Sequence, residues 1–508
     1  MDSVVEATKS HKHNGREEHA AEGVRRSDAT ATNSASQRQL YQSRVPIYPK
    51  LVHGTFRRLK WAVMILTLGI YYVTPWLRWH RGPGLPDQAV LVDFAHERFY
   101  FFFIELWPQE VYYITGLLIL GALGIFLASA MLGRVWCGYA CPQTVWTDLY
   151  VAVERWVEGD RSARIRLSAE PMSFGKLRKR IVKHALWLLI AFATGGALVF
   201  YCADAPTLAH DLLHGTASTV AYAFIGILTF TTYSLAGLMR EQVCTYMCPW
   251  PRIQAALIDH ETLSVLYRSD RGEPRAPHKK GHSWEGRGHC IDCNQCVAAC
   301  PMGIDIRDGA QLECINCALC IDACDEVMVK IGLPKGLIAY DTGDNVERRL
   351  SGQKPRFRLL RPRTLLYAVL FLAIGALMAY ALGTRATMGL DVLRDRNPTF
   401  IALSDGSIRN GYTLKLMNHA DHARKLVLTI EGLHHPRMNA IGLDHADNAR
   451  SVAVEVGPDT VYPLRVLVTL KPSAIHARSM DMEFVMKDPN TGEESEVHTV
   501  FLSGDLQQ

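Results

Sequence analysis

Eight cysteines lie between Cys290 and Cys324, in the stretch GHCIDCNQCVAACPMGIDIRDGAQLECINCALCIDACDEVM. They form two runs, Cys290, Cys293, Cys296, Cys300 and then Cys314, Cys317, Cys320, Cys324, each spaced C-x2-C-x2-C-x3-C. That spacing wraps three thiolates around one four-iron cubane and sends the fourth to a neighbouring cluster. Cys290, Cys293, Cys296 and Cys324 are therefore expected to hold one 4Fe-4S cluster, and Cys314, Cys317, Cys320 and Cys300 the second. Zinc is the rival occupant of closely spaced thiols, but it rarely uses the doubled spacing. Pro301 follows the first run, whereas Asp325 stands at the matching place after the second. Its carboxylate is expected to disfavour an extra electron on the second cluster. Two intact runs constrain this segment to an α+β dicluster ferredoxin domain, and such clusters carry single electrons.

Four of the remaining five cysteines occur in two copies of C-x-Y-x-C-P: Cys137 and Cys141 in WCGYACPQTVW, then Cys244 and Cys248 in VCTYMCPWPR. The tight spacing of these twelve cysteines reads as reduced metal ligands in a cytoplasmic compartment, not as a disulfide framework. Cysteines at i and i+4 share one face of a helix, so each pair could take a soft ion, and two pairs could share one site. Pro142 and Pro249 end or kink the helix at each pair. The alternatives are thiols that pack at a membrane edge, or a reversible redox pair; the repeated frame favours metal or redox participation. Tyr139 and Tyr246 are read as orienting the loops. Cys202, which stands alone, is expected to be a buried apolar side chain.

Each C-x-Y-x-C-P copy follows a long apolar run. With 48% hydrophobic content in 508 residues and a mean hydropathy of +0.02, the chain reads as membrane spans joined to soluble domains. Five runs approach the roughly 20 residues that cross a bilayer: Leu59 to Leu77, Val111 to Met131, His184 to Ala203, Thr216 to Leu238 and Thr364 to Leu382. Together they predict a five-helix transmembrane bundle. Lys and Arg crowd the connection after the second run and the approach to the fifth, while DAPTLAHDLLHG between the third and fourth has none. The positive-inside rule then places the amino terminus and both cysteine-bearing connections in the cytoplasm, and the carboxyl-terminal region in the periplasm of a bacterium. The span interiors contain no histidine, with His184 and His214 at or beyond edges, so a transmembrane haem relay is not expected. No secretory signal is visible in the first fifty residues, and that polar arm, with His11 to His13 and Ser27 to Ser36, reads as disordered. The net charge of +5 does not call for nucleic acid.

Beyond Ala381 the texture changes to period-two alternation in YTLKLMN, KLVLTIEG, SVAVEVG, YPLRVLVTL, MDMEFVMKD and EVHTVFL. With Asn410-Gly411 and the Asp488 to Gly492 stretch read as turns, this predicts six or seven strands in an immunoglobulin-like sandwich. Met480, Met482 and Met486 with His434, His435, His445 and His476 could offer copper ligands, although the methionines share a strand face and read better as core. The domains expected are a polar arm at 1–55, four spans at 56–260, the ferredoxin domain at 261–345, the fifth span at 346–385 and the sandwich at 386–508.

The whole resembles the FixG/RdxA/CcoG family of cytochrome c oxidase accessory proteins. The likeness is carried by HERFYFFFIELWPQE at His96 to Glu110, both C-x-Y-x-C-P copies, the paired cysteine runs, LRDRNPTF at Leu393 to Phe400 and IRNGYTLKLMN at Ile408 to Asn418. The resemblance implies reduction of Cu(II) to Cu(I) at the cytoplasmic face of the inner membrane for assembly of a cbb-type oxidase. The oxidase subunits or copper-delivery proteins would be partners, with copper as substrate or transient ligand. Thiolates bind Cu(I) better than Cu(II), so Cys137, Cys141, Cys244 and Cys248 become candidate redox thiols. An electron relay from a quinol or reductase to a protein partner, or an assembly scaffold, are the competing readings. No G-x-G-x-x-G following a strand points to a flavin or nicotinamide, so the donor is unassigned.

Overall fold

The structure, a computed structural model, describes residues 46–81, 85–278, 283–420, 422–443 and 450–504. Most of the expected polar arm and His445 lie outside them. Two compact units meet between Met378 and Ala379.

Among the described residues, four helices are long and apolar enough to cross a membrane: Tyr112–Leu132, Phe174–Val199, Thr219–Met239 and Pro362–Gly383. Leu117, Leu118, Phe224, Phe230, Leu366 and Leu372 on them are exposed, as side chains facing lipid are. The first expected span, Leu59 to Leu77, is a helix, Thr55–Val73, but it falls outside these four because it opens with Arg57, Arg58 and Lys60. Arg57 and Lys60 are buried against Asp148, at 2.9 and 3.8 Å. Burial alone would push the Asp148 carboxyl up, but Lys60 and Arg57 overcome it and hold it below its ordinary value. The first turns of this helix are thus anchored inside the protein. Its backbone donors at Phe56 and Arg57 reach the Asp322 carboxylate at 3.3 and 2.7 Å, an acidic cap at the positive end of the helix.

The third expected span begins earlier than its apolar run, at Phe174, because Ser173 caps it by accepting from the Lys176 N–H. His184, expected at an edge, therefore lies inside the helix. There it shares a 2.9 Å hydrogen bond with the Tyr233 hydroxyl. Cys202 falls just past this helix and is exposed, correcting the expectation of a buried side chain. A three-stranded antiparallel sheet, Val90–Asp93, Arg98–Phe101 and Ile104–Leu106, precedes Tyr112–Leu132; hydropathy gave no sign of it.

The cysteine-rich segment forms a small α+β body, with helices Gln295–Ala299 and Leu319–Lys330 and an antiparallel pair Ser264–Tyr267 and Ile338–Asp341. It packs directly on the helices of the same unit. Leu263 N–H donates to Met131 O at 3.1 Å, and the Thr262 hydroxyl to Ala130 O at 3.1 Å.

The second unit stacks two antiparallel sheets. One runs Arg437–Ile441, Thr460–Leu470, Ile408–Asn418, Met388–Arg394, with the short strand Ile401–Ala402 also on Ile408–Asn418. The other runs Ser451–Val456, Arg424–Glu431, Ser479–Lys487, Glu494–Leu502. Tyr412, Leu414, Leu416, Val466, Val468 and Phe484 fill the space between them, the inward half of the alternation. Asn410-Gly411 is not the expected turn: it lies within Ile408–Asn418, where Gly411 pairs with Leu467. A Cβ there would collide with Asp395, whose N–H donates to Gly411 O at 3.0 Å. Asp488 to Gly492 does turn, with Gly492 at φ 74°. Met482 and Met486 are buried, and Met482 Sδ accepts from the Tyr412 hydroxyl at 3.4 Å; these sulfurs serve the core.

Candidate functional site

Both cysteine runs bend by the same backbone device. Two and four residues after Cys290 stand Asp292 and Asn294, and after Cys314 stand Asn316 and Ala318, all with φ between 53° and 60°. Asp and Asn tolerate the left-handed region, whereas Ala318 bears a strain of roughly 1–2 kcal/mol. Such turns gather backbone N–H groups around a concavity that suits a negatively charged group.

Two cavities result. The first is lined by Cys290, Cys293, Cys296 and Cys324 together with Tyr267, Met328, Leu337, Ile338 and Arg307. The second is lined by Cys300, Cys314, Cys317 and Cys320, with Cys296 shared between the two and Val265, Met302, Ile304 and Ile306 as apolar wall. Cys324 thus ends the second run yet lines the first cavity, and Cys300 ends the first run yet lines the second. Each cavity brings four thiols to an apolar hollow, a donor set that fits an iron–sulfur cubane. Among the eight, Cys293 is the exposed one.

This placement moves Asp325 from the second cluster to the first. It adjoins Cys324 in sequence, and its carboxylate accepts from Gly336 N–H at 2.9 Å. Arg307 lines that first cavity, held by Asp292 at 2.5 Å and Asp305 at 2.6 Å.

The two C-x-Y-x-C-P copies meet beside the second cavity. Cys137 lies in the short helix Val135–Tyr139, but Cys141 falls beyond its end and heads the next helix, Pro142–Glu158, at φ −59° and ψ 128°. Cys244 lies in the π-helical turn Val243–Met247, and Cys248 follows it at φ −79° and ψ 123°. Neither pair therefore shares one helix face, contrary to expectation. The cause is the following proline, whose ring drives the residue before it out of the α region. The break turns Cys141 and Cys248 away from their own helices.

Three of these thiols are shifted upward. Burial first, then Cys141 and Cys248, push the Cys137 thiol up to about 11, against a smaller downward pull from Arg134. Burial first, then Cys141, Cys137 and Cys248, push the Cys244 thiol up to about 12. Cys141 is also raised, chiefly by burial. These are protonated, unreactive thiols at neutral pH, ready to exchange their protons for a soft cation.

Contacts to the second cavity are close. Cys137 and Cys244 pack in one apolar cluster with Cys300, Cys314, Cys317, Ile315 and Met302. A Cβ on Gly138 would stand 2.5 Å from Ile315 O. Tyr139 donates to Cys317 O at 3.2 Å, which gives it a holding role, whereas Tyr246 is exposed. Two participants carry no local sequence signal. Gln254 is fully buried; it accepts from Cys137 Sγ at 3.2 Å and donates to Ser129 Oγ at 3.1 Å. Arg134 reaches the carbonyls of Leu312, Cys314 and Pro251.

Cysteine-lined hollows set on apolar helices define a membrane-associated iron–sulfur electron-transfer protein. Comparisons agree: a 4Fe-4S dicluster domain matches residues 239–343, a 4Fe-4S binding domain 114–159, and the Ig-like fold at the C-terminus of FixG 378–504. The chain is 50% identical to the nitrogen fixation protein FixG of Rhizobium meliloti (strain 1021) over 92% of its length and 95% of that protein's. It is 50% identical to protein RdxB of Cereibacter sphaeroides over 91% and 97% of the two chains. To protein RdxA of the same organism it is 54% identical over 77% and 84%. The chain belongs to the FixG family. Among solved structures, a FixG-related protein from Vibrio parahaemolyticus aligns with 23% of the chain and 98% of its own, at 22% identity and a TM-score of 0.20.

Proposed function

We propose that this protein is a cupric reductase serving assembly of a cbb-type cytochrome c oxidase. Cys290, Cys293, Cys296 and Cys324 hold one 4Fe-4S cluster, and Cys300, Cys314, Cys317 and Cys320 the other. When bound, such clusters supply single electrons. The thiols of Cys137, Cys141, Cys244 and Cys248 receive the copper. Cu(II) takes one electron and becomes Cu(I), the protein is left oxidised by one electron, and each thiol that ligates gives its proton to solvent. The observation that carries this reading is the packing of Cys137 and Cys244 in one apolar cluster with Cys300 and Cys314. The balance of Lys and Arg supports a cytoplasmic site at the inner membrane with the sandwich in the periplasm. Oxidase subunits or copper-delivery proteins are the partners that accept Cu(I).

The test is anaerobic mixing of the reduced full-length protein with Cu(II), following the visible cluster band and Cu(I) together. One Cu(I) formed per electron lost, abolished when all four cysteines are changed to serine with iron content intact, supports the reading. Reduced protein indifferent to Cu(II) overturns it. The exposed Cys293 favours a second reading, a relay to a docked protein partner, which would oxidise the reduced protein without copper.

A further inference from the structure

Arg134 sits where three elements meet. It precedes Cys137 in the first C-x-Y-x-C-P copy, and its side chain is buried. One terminal nitrogen donates to Leu312 O and to Cys314 O, the latter at 3.4 Å, on the loop that lines the second cavity. The other donates to Pro251 O at 2.7 Å, just after the second copy. Its hydrogen bonds thus run to carbonyls, and among the described residues no ion pair joins it to a carboxylate. Glu313 acts on it through charge alone. Arg240, four residues before Cys244 where Arg134 is three before Cys137, differs: its charge is met by Glu154 at 2.9 Å. The two copies are alike in sequence but unlike in charge.

We propose that Arg134 is the positioning residue that couples the second cluster to the thiol quartet. Its planar fork clamps both thiol-bearing segments onto the Cys314 loop. Its permanent charge, set in a poorly screened interior, favours the added electron on the neighbouring cluster. One cation, three residues before Cys137, is thus held by hydrogen bonds between the loop of Cys314 and the segment that follows Cys248. The copper half rests on the function proposed above; the cluster half does not.

The experiment is a redox titration of the full-length protein in detergent, comparing Arg134→Gln and Arg134→Lys with the wild type. One of the two cluster midpoints should shift negative in the glutamine variant while the other stays, and lysine should restore most of the shift. Reoxidation by Cu(II) should slow in parallel. Two unchanged midpoints, two equal shifts, or no rescue by lysine would overturn the proposal. A shifted midpoint with unaltered Cu(II) reoxidation upholds the role of Arg134 at the cluster and overturns its coupling to the thiols, whereas wild type that is indifferent to Cu(II) overturns the copper reading instead. If the glutamine variant does not assemble, Arg134→Met and Arg307→Met decide: each removes a buried cation and should shift a different midpoint negative, and movement of the same one refutes the assignment.

Discussion

Gly138 lies so close to Ile315 that a Cβ would stand 2.5 Å from the Ile315 carbonyl oxygen and 3.0 Å from Cys317 N. The backbone of one thiol pair thus touches the backbone of the second cysteine run. Alanine at 138 would favour the local helix by about 1 kcal/mol, so any loss must come from the collision, at about 1–3 kcal/mol. Gly138→Ala should slow reoxidation by Cu(II) and disturb one cluster signal in anaerobic electron paramagnetic resonance, leaving the other intact.

The crossed placement of Cys300 and Cys324 makes a second prediction. Cys324→Ser should impair the cluster of the first cavity and Cys300→Ser that of the second, each opposite to its own run. Asp325→Asn should raise the reduction potential of the cluster that Cys324→Ser damages. Iron analysis and redox titration of the three variants check this; an Asp325 effect on the other cluster would refute the crossing.

Copper binding should be strongly pH-dependent. Cys137 and Cys244 are protonated below about 11 and 12, and a bound metal requires thiolate. Affinity for Cu(I) should therefore rise with pH by about tenfold per participating thiol per pH unit. Competition titrations against a Cu(I) chelator between pH 6 and about 8 test the slope; a flat profile would exclude these thiols as ligands.

Asp148 is buried between Arg57 and Lys60, and its folded-state carboxyl is held low. Its stabilising contribution is present above the unfolded carboxylate range and is lost as pH falls through the lowered folded value. Asp148→Asn leaves two buried cations uncompensated, at a cost of about 3–5 kcal/mol. Thermal unfolding in detergent at neutral pH should show a marked fall in midpoint, and Arg57→Met with Asp148→Asn a smaller one.

Periodicity and spacing made much of this molecule legible. Four cysteines could be assigned to each cluster because ligand spacing in a ferredoxin run is a local property of a few turns. Apolar runs likewise announced the four long helices, and alternation the sandwich, since burial of one face writes a period into the chain. Where charge interrupts the pattern, the apolar run no longer marks the helix: Thr55–Val73 begins with cations that pair with Asp148, a partner distant in sequence. Asn410-Gly411 misled because Asp395, just past a neighbouring strand, donates to the Gly411 carbonyl.

The sequence by itself determined the cofactor class, the membrane character and the repeated thiol frame, all set by residue type and near-neighbour spacing. Only the tertiary structure decided that both thiol pairs meet beside the second cavity and that Arg134 and Gln254 belong to the site. Those facts depend on contacts between segments more than a hundred residues apart. Such contacts are fixed by close packing and hydrogen-bond satisfaction, which leave no periodic trace in the chain.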